Sequence, residues 1–401
     1  MEEDLEAIII GGGACGLMCA VQAGYLGKKV VILEKNSKVG AKILISGGGR
    51  CNYANLNSSP KNFIGENFHF CKSAFAQFTV EDTIDFFESF GIIGQEKTLG
   101  QLFPLDNNAK SIVSLFETAC KDLGVEIICD AEVVDIDLFS DGTNNFQVCY
   151  SVLNQVYRLK SKKVVLASGG LPIKKMGASD FALKIAKKFE IRVTEVAPAL
   201  VPLTITGKEE EWYSRLSGNS IFCRVSNDFA SFEENILFTH WGLSGPAILQ
   251  ISSYWRPGEK ITINLLPNES ILDFLQIEKQ KNGKRLLLHI LVELFPKKFV
   301  EALGIYLPLE KNLASLTKED YENLDSLIHH FSVKPAGDKG YEKAEVMRGG
   351  VATEEISSKT MECKKIPGLF FGGECMDITG QLGGYNFQWA WSSAYVIAQN
   401  I

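Results

Sequence analysis

Three consecutive isoleucines, Ile8 to Ile10, run into Gly11-Gly12-Gly13-Ala14-Cys15-Gly16, and a second apolar run, Val30 to Leu33, ends at Glu34. No other feature constrains the fold as much. The order predicts a buried strand, a tight turn, a helix start and a second strand that carries an acid. Gly11 permits the turn, Gly13 lets backbone N–H groups approach a phosphate with no Cβ between them, and Gly16 lets the helix pack on the sheet. The first helical turn offers unsatisfied N–H donors and a partial positive charge, which suit a diphosphate. A carboxylate at Glu34 accepts from ribose hydroxyls and repels a 2′-phosphate, so the expected ligand is FAD or NAD rather than NADP.

A chain of 401 residues, 46% hydrophobic and 22% charged, has room for two or three domains and a large core. Its net charge of -7 and pI near 5.5 speak against binding nucleic acid or anionic membrane through bulk electrostatics. The apolar stretch 7–27 follows Met1-Glu2-Glu3-Asp4 rather than a basic segment, so it does not read as a signal peptide. With no other apolar run of membrane-spanning length, a cytoplasmic protein is expected. The ten cysteines lack a CxxC pair with a matching partner, and there is no HExxH, so neither a disulfide framework nor a zinc site is expected.

Further along, Lys42 leads into Ser46-Gly47-Gly48-Gly49-Arg50-Cys51-Asn52, a second glycine cluster. Three glycines in a row cost backbone entropy and mark a place where something approaches the main chain. Residues 73–91 read as a helix with an aromatic stripe, and 110–123 as another. A parallel strand is expected at 125–129. Segments 131–138, 146–153 and 156–160, separated by Asp141-Gly142 and Asn154-Gln155, read as an antiparallel meander. The strand 164–167 then enters Ser168-Gly169-Gly170. From about residue 194 the pattern changes to strands (196–205, 221–225, 261–266) and then helices (270–303, 309–316, 318–331). A strand at 368–371 follows, then Gly372-Gly373-Glu374 and a last helix after Gly383-Gly384-Tyr385-Asn386. The expected architecture is α/β: a Rossmann-like dinucleotide-binding domain (1–193 with 341–401), an inserted β-rich domain (194–269 with 332–340) and a helical subdomain (270–331).

The N-terminal turn, Ser168-Gly169 and the Gly372-Gly373-Glu374 segment describe one site assembled from both ends of the chain. In KILISGGGRCN (42–52), FTHWGLSGP (238–246), Arg348 to Val351 and GLFFGGECMDITGQLGGYNFQWAW (368–391), the chain resembles the NAD(P)/FAD-dependent oxidoreductases of the aminoacetone oxidase type, among the two-dinucleotide-binding-domain flavoproteins. The resemblance covers essentially the whole chain. It implies a Rossmann-like FAD-binding domain with an inserted β-barrel-like domain and a small helical domain, and it implies FAD, with Glu374 near the ribityl chain and the helix after Gly384 aimed at the flavin pyrimidine, where it would stabilise negative charge. It leaves the substrate open, since members are linked to amine oxidation and to reduction of bile-acid-type enones. The chain departs from the family at Leu171 to Phe181 and at Met347, where a threonine is usual.

The expected cofactor contacts are Gly11, Gly13, Ala14, Cys15, Gly16, Glu34, Lys35, Lys42, Ser46, Gly47, Gly48, Gly49, Arg50, Cys51, Asn52, Val134, Ser168, Gly169, Gly373, Glu374, Gly384, Asn386 and Phe387. Asn386 and Gln388 are candidates for hydrogen bonds to the pyrimidine ring, while Trp389 and Trp391 read as packing. His240 reads either as a proton relay beside the flavin or as a structural histidine capping the helix that follows. Cys51 stands alone, where a redox-active disulfide would need two cysteines. No second nucleotide fingerprint occurs, so NAD(P)H is expected only as a transient donor, or oxygen as an acceptor. The leading reading is an FAD-dependent oxidoreductase acting on a small molecule, with no nucleic-acid or membrane partner. An NAD-dependent dehydrogenase and a non-catalytic flavin-binding redox sensor are the alternatives.

Overall fold

The computed structural model describes residues 5–67, 69–139 and 146–401. Met1-Glu2-Glu3-Asp4 and the Asp141-Gly142 turn lie outside the described residues. The chain divides into two compact units, Met1–Ala197 with Val346–Ile401, and Pro198–Glu345.

The first unit is built on a seven-stranded sheet. Its hydrogen-bonded order is Glu126–Ile128, Val30–Leu33, Leu5–Ile10, Gln155–Leu166, Phe146–Val152 and Glu132–Leu138, with Leu369–Phe371 also pairing on Gln155–Leu166. Strand Leu5–Ile10 is parallel to both neighbours and carries the buried isoleucines, as a strand covered on both faces must. The expected strands at 156–160 and 164–167 are one continuous strand. Its first half pairs antiparallel with Phe146–Val152, and its second half runs parallel to Leu5–Ile10. The polar Lys162 and Lys163 interrupt the apolar pattern without interrupting the backbone ladder.

The helix expected at 73–91 is broken in two, Lys72–Gln77 and Val80–Ser89. Thr79 stops the first and starts the second, because its side chain accepts from the Asp82 N–H while Asp82 accepts from Thr79 in a capping box. The aromatic stripe faces the core. Phe87 and Phe116 each lie 5.6 Å from the Trp391 ring, and Phe78 stacks on Tyr395 at 4.8 Å. The C-terminal helix Tyr385–Asn400 therefore runs through the centre of this unit, with both Trp389 and Trp391 buried.

The second unit holds a seven-stranded antiparallel sheet in the order Phe331–Val333, Ile261–Asn264, Ser220–Ser226, Ser231–Thr239, Gly242–Ser244, Leu203–Thr204 and Gly337–Asp338. The single helix expected over 270–303 is three, Ile271–Asn282, Leu287–Leu294 and Lys297–Leu303. Gly283 closes the first and Pro296 opens the third, where a proline lacks the N–H that a continuous helix would need. At 309–316 only the short turn Leu313–Ser315 is helical, because Asn312 turns its side chain back onto the Ser315 N–H. Strands and helices share one apolar core, in which Phe238 of the sheet meets Phe299 of the third helix at 5.7 Å. Among the described residues, no helix is long and apolar enough to cross a membrane.

Candidate functional site

Three strand-to-glycine turns pack against one another at the ends of the parallel strands. A Cβ on Gly11 would lie 2.6 Å from the Ala167 carbonyl oxygen, so the first turn rests on the third strand's exit. One on Gly16 would lie 1.9 Å from the Gly11 oxygen, which explains why the helix can start so close to the turn. Gly13 differs, with nothing within 4 Å of the position a Cβ would take. Its outward face is open while its two neighbours in the motif are sealed, as a cradle for a phosphate requires.

Glu34 is 7% exposed, and both of its oxygens are engaged: Oε2 accepts from the Gly12 N–H at 2.7 Å and Oε1 from the Asn36 N–H at 2.8 Å. Each carboxylate oxygen keeps a second lone pair, so the acid can still accept from a ribose hydroxyl. Beside it opens a cleft of about 430 Å³ that also includes Gly11, Lys35, Val133, Val134 and Ser168. Val134 sits at a bulge, skipped between the pairs Val133–Tyr150 and Asp135–Cys149, so its backbone is released from the ladder towards this cleft. The Ser168 Oγ is buried with no partner. The divergent stretch ending at Phe181 supplies Gly177, Ser179, Asp180 and Phe181 to the same cleft, and Asn36 ties it down by donating to the Met176 oxygen at 3.3 Å. Open glycine, buried acid, cleft and unpartnered serine together fit the adenosine diphosphate half of a dinucleotide.

The other half is assembled from distant segments. Gly373 receives the Trp389 indole N–H on its oxygen at 3.0 Å and donates its own N–H to Ser393 Oγ at 3.0 Å, locking the last glycine turn onto the C-terminal helix. Cys15 packs under the same turn, since a Cβ on Gly372 would stand 2.6 Å from its sulfur. Its side chain is thus a spacer between two turns, and only its backbone N–H points to a ligand role. Glu374 reaches back to Lys42 at 2.8 Å and accepts from the Met347 N–H at 3.3 Å. The Met347 side chain is buried against Gly170, filling space rather than offering a hydrogen bond.

Ser46, Gly47, Gly48 and Gly49 leave the helix that begins at Ala41, and the three glycines have φ of 56°, 70° and 83°. Only glycine adopts such a left-handed run without strain. Gly47 to Arg50 are exposed, and Ser46 donates to the Ile43 oxygen. Sequence reasoning missed the hairpin that braces this loop, Gly94–Glu96 with Gln101–Pro104. Its Phe103 ring lies against Gly47 and beneath the Arg50 and Lys97 cations, while Gln101 accepts from the Asn52 Nδ2 at 3.2 Å and abuts Gly383. The repeated Gly and Gln of 94–101 gave no periodic signal that would have marked it.

Gly384 has φ of 99°, and a Cβ there would collide with the Ala54 oxygen at 2.4 Å, so the helix start is pressed onto the Asn52–Asn55 segment. Asn55 donates to the Gly383 oxygen at 2.8 Å and Trp391 to the Tyr53 oxygen at 2.8 Å. The Asn52 Oδ1 is buried there without a partner. Asn386 and Gln388, expected to reach the pyrimidine, make hydrogen bonds within the chain, and the Gln388 Oε1 is buried with no partner among the described residues. Asn386 brackets Gly380, accepting from its N–H and donating to its oxygen at 2.9 Å each, and Gln388 donates to Thr83 at 2.8 Å. Phe387 stacks on Trp391 at 5.5 Å, leaving its backbone N–H in the open first turn.

Cys51 is fully buried, and burial pushes its thiol up to about 12, so it is protonated at neutral pH. His240 belongs to the second unit and lies exposed in the turn between Ser231–Thr239 and Gly242–Ser244. It caps no helix, because Pro246–Ser252 begins from Gly245 without a side-chain cap.

The family model described as "HI0933-like protein Rossmann domain" matches residues 5–400. The chain is similar to the ribosomal RNA dihydrouridine synthase of Escherichia coli (strain K12), with 42% identity over 401 residues, 100% of this chain and 98% of the relative. It is also similar to the 3-dehydro-bile acid delta(4,6)-reductase of Clostridium scindens, with 27% identity over 409 residues and 97% of each chain. In fold it resembles the 3-ketosteroid-delta4-(5alpha)-dehydrogenase of Rhodococcus jostii RHA1, at a TM-score of 0.50 and 12% identity, over 98% of this chain and 97% of that one.

Proposed function

The chain belongs to the HI0933-like Rossmann-domain family of FAD-binding flavoprotein oxidoreductases, and from that premise we propose that it reduces a carbon–carbon double bond conjugated to a carbonyl, its substrate being a uridine of ribosomal RNA. The observation that carries the proposal is the 42% identity, end to end, with a ribosomal RNA dihydrouridine synthase. The 27% likeness to a bile acid reductase favours a second reading, a steroid enone as substrate. Both share one chemistry. In uridine the C5=C6 bond is conjugated to the C4 carbonyl, so a hydride adds at C6 and a proton at C5. In a steroid dienone a hydride adds to the end of the conjugated system in the same sense.

FAD bound in this site supplies, once reduced, the hydride. The open face at Gly13 and the N–H groups of Ala14 to Gly16 would hold its diphosphate, and Glu34 would take the ribose. Lys42 and Glu374 neutralise one another beside Gly169 and Gly170, so this end of the site carries no net charge from the pair. The N-terminus of helix Tyr385–Asn400 supplies partial positive charge where negative charge accumulates. Asn386 does this only indirectly, by fixing the Gly380 loop that leads into the helix. A nicotinamide nucleotide in transient contact would supply the electrons, since the sequence holds a single dinucleotide fingerprint.

The test is anaerobic reduction of the purified holoenzyme with NADH or NADPH, followed by ribosomal RNA from cells lacking this enzyme. Nucleoside mass spectrometry should then detect dihydrouridine, and the flavin should reoxidise as RNA is added. Reoxidation by a conjugated 3-keto steroid and not by RNA would overturn the RNA reading in favour of the second.

A further inference from the structure

The sequence motif Thr239-His240-Trp241-Gly242 has no part in the site described above. In the second unit, His240 is exposed and sets its ring edge-on against the Trp241 indole, with centroids 4.0 Å apart at 70°. Lys339 holds its Nζ 5.0 Å from the centre of the same indole. The sheet brings the three together, because Leu203–Thr204 pairs with Gly242–Leu243 on one side and Gly337–Asp338 on the other. Backbone bonds fix both partners: Ile205 donates to the Trp241 oxygen at 2.9 Å and Lys339 to the Pro202 oxygen at 3.0 Å.

Four of the five tryptophans donate their indole N–H to a backbone oxygen: Trp212 to Ala302, Trp255 to Glu259, Trp389 to Gly373 and Trp391 to Tyr53. Trp241 does not, and its Nε1 is buried with no acceptor among the described residues. A buried donor without a partner is costly, which sets Trp241 apart from the four packing tryptophans. Among the described residues, no carboxylate pairs with Lys339 either. An exposed imidazole edge-packed on an indole, an ammonium lying against that indole and an unused indole N–H thus gather where the His240–Trp241 turn meets the segment that follows Gly337–Asp338.

We propose that His240, Trp241 and Lys339 form a docking subsite for a single RNA strand, an inference that rests on the ribosomal RNA reading. A base stacks on the exposed His240 ring, which Trp241 backs edge-on, and the Lys339 ammonium meets a phosphate. With a net charge of -7, the chain cannot rely on counterion release over a basic face, so stacking carries the affinity. A bile acid's carboxylate could also reach Lys339, but a steroid has no π face for the two rings.

The experiment titrates the holoenzyme with a fluorescein-labelled single-stranded oligouridylate of about twelve nucleotides at two salt concentrations. W241A should weaken binding roughly 5- to 100-fold, W241F should restore most of it, and K339Q should make the salt dependence shallower by roughly 0.7 in log–log slope. The visible flavin spectrum and the melting temperature report that each variant is folded. Parent-like RNA affinity in both W241A and K339Q overturns the proposal, as does a parent enzyme that binds no RNA. So does a W241A that loses affinity for cholate alone. Dihydrouridine, measured separately, distinguishes the two readings. If it forms while the variants bind RNA normally, only the docking subsite falls; if the variants lose RNA binding and none forms, only the reductase reading falls.

Discussion

Lys42 Nζ lies 2.8 Å from Glu374 Oε2, across 332 residues of sequence, and the pair joins the second glycine cluster to the last glycine turn. The side chains are 29% and 19% exposed, so water screens the pair only partly. Removing one partner leaves the other's charge half-buried beside Gly170. E374Q should therefore cost about 1–2 kcal/mol, between the values for exposed and buried pairs. Thermal unfolding of E374Q, K42M and the double variant checks this. A double variant no more stable than the sum of the singles predicts would show that the two do not interact.

Two glycines four positions or fewer apart in one turn should behave in opposite ways. G13A places its methyl in open space, so the fold should survive with a nearly unchanged melting temperature while flavin is lost on purification. G16A drives a methyl into the Gly11 oxygen and should abolish soluble protein or lower its stability by several kcal/mol, roughly the upper range for single substitutions. Flavin absorbance per protein and circular dichroism distinguish the outcomes. Full flavin occupancy in G13A would mean that the turn does not hold the diphosphate.

Glu34 supports the turn as well as the ligand. E34A strips acceptors from the Gly12 and Asn36 N–H groups and should destabilise the apoprotein by about 2 kcal/mol in urea unfolding. It should also weaken flavin retention. An apoprotein of unchanged stability would mean that the two N–H groups find other acceptors.

The buried thiols predict an alkaline limit. Burial raises Cys15, Cys51 and Cys120 to about 12, above their value in the unfolded chain. Below pH ~9 the thiols are protonated in both states and the stability is fully present. As pH rises from there towards 12, the unfolded state sheds protons that the folded state keeps, so stability falls, by about 1.4 kcal/mol per pH unit per thiol. Urea midpoints from pH 8 to 11 should show this, with a shallower decline in C51A. Native-state iodoacetamide at pH 8 should leave Cys51 unmodified, as peptide mass spectrometry would read.

The two halves of the site were not equally legible. At Gly11, Gly13 and Gly16 the residue type itself sets the backbone angles and the space above them, and the structure places a sealed, an open and a sealed position where the motif puts them. At Asn386 the structure shows instead an amide already bonded within the chain. That amide suits a pyrimidine edge, but whether it is free depends on Gly380, which closes on it only after the loop has folded. Gln388 is half such a case: its Nε2 is spent on Thr83 of another helix, while its Oε1 is buried with no partner among the described residues. Phe103 shows the converse, a residue without a motif that becomes important because the hairpin carries it beneath Arg50 and against Gly47.

Sequence alone determined the strand–glycine–helix turn, the acid after the second strand and the family to which the chain belongs, because these rest on short-range rules of backbone angle, steric space and charge. Only the tertiary structure decided which polar atoms are spent inside the protein and which, among the described residues, are left over: the Asn386 amide and Gln388 Nε2 on one side, Gln388 Oε1, Asn52 Oδ1, Ser168 Oγ and the Trp241 indole on the other. A side chain's hydrogen-bonding capacity is written in its chemistry, whereas its partner is supplied by whatever distant segment the fold brings within about 3 Å.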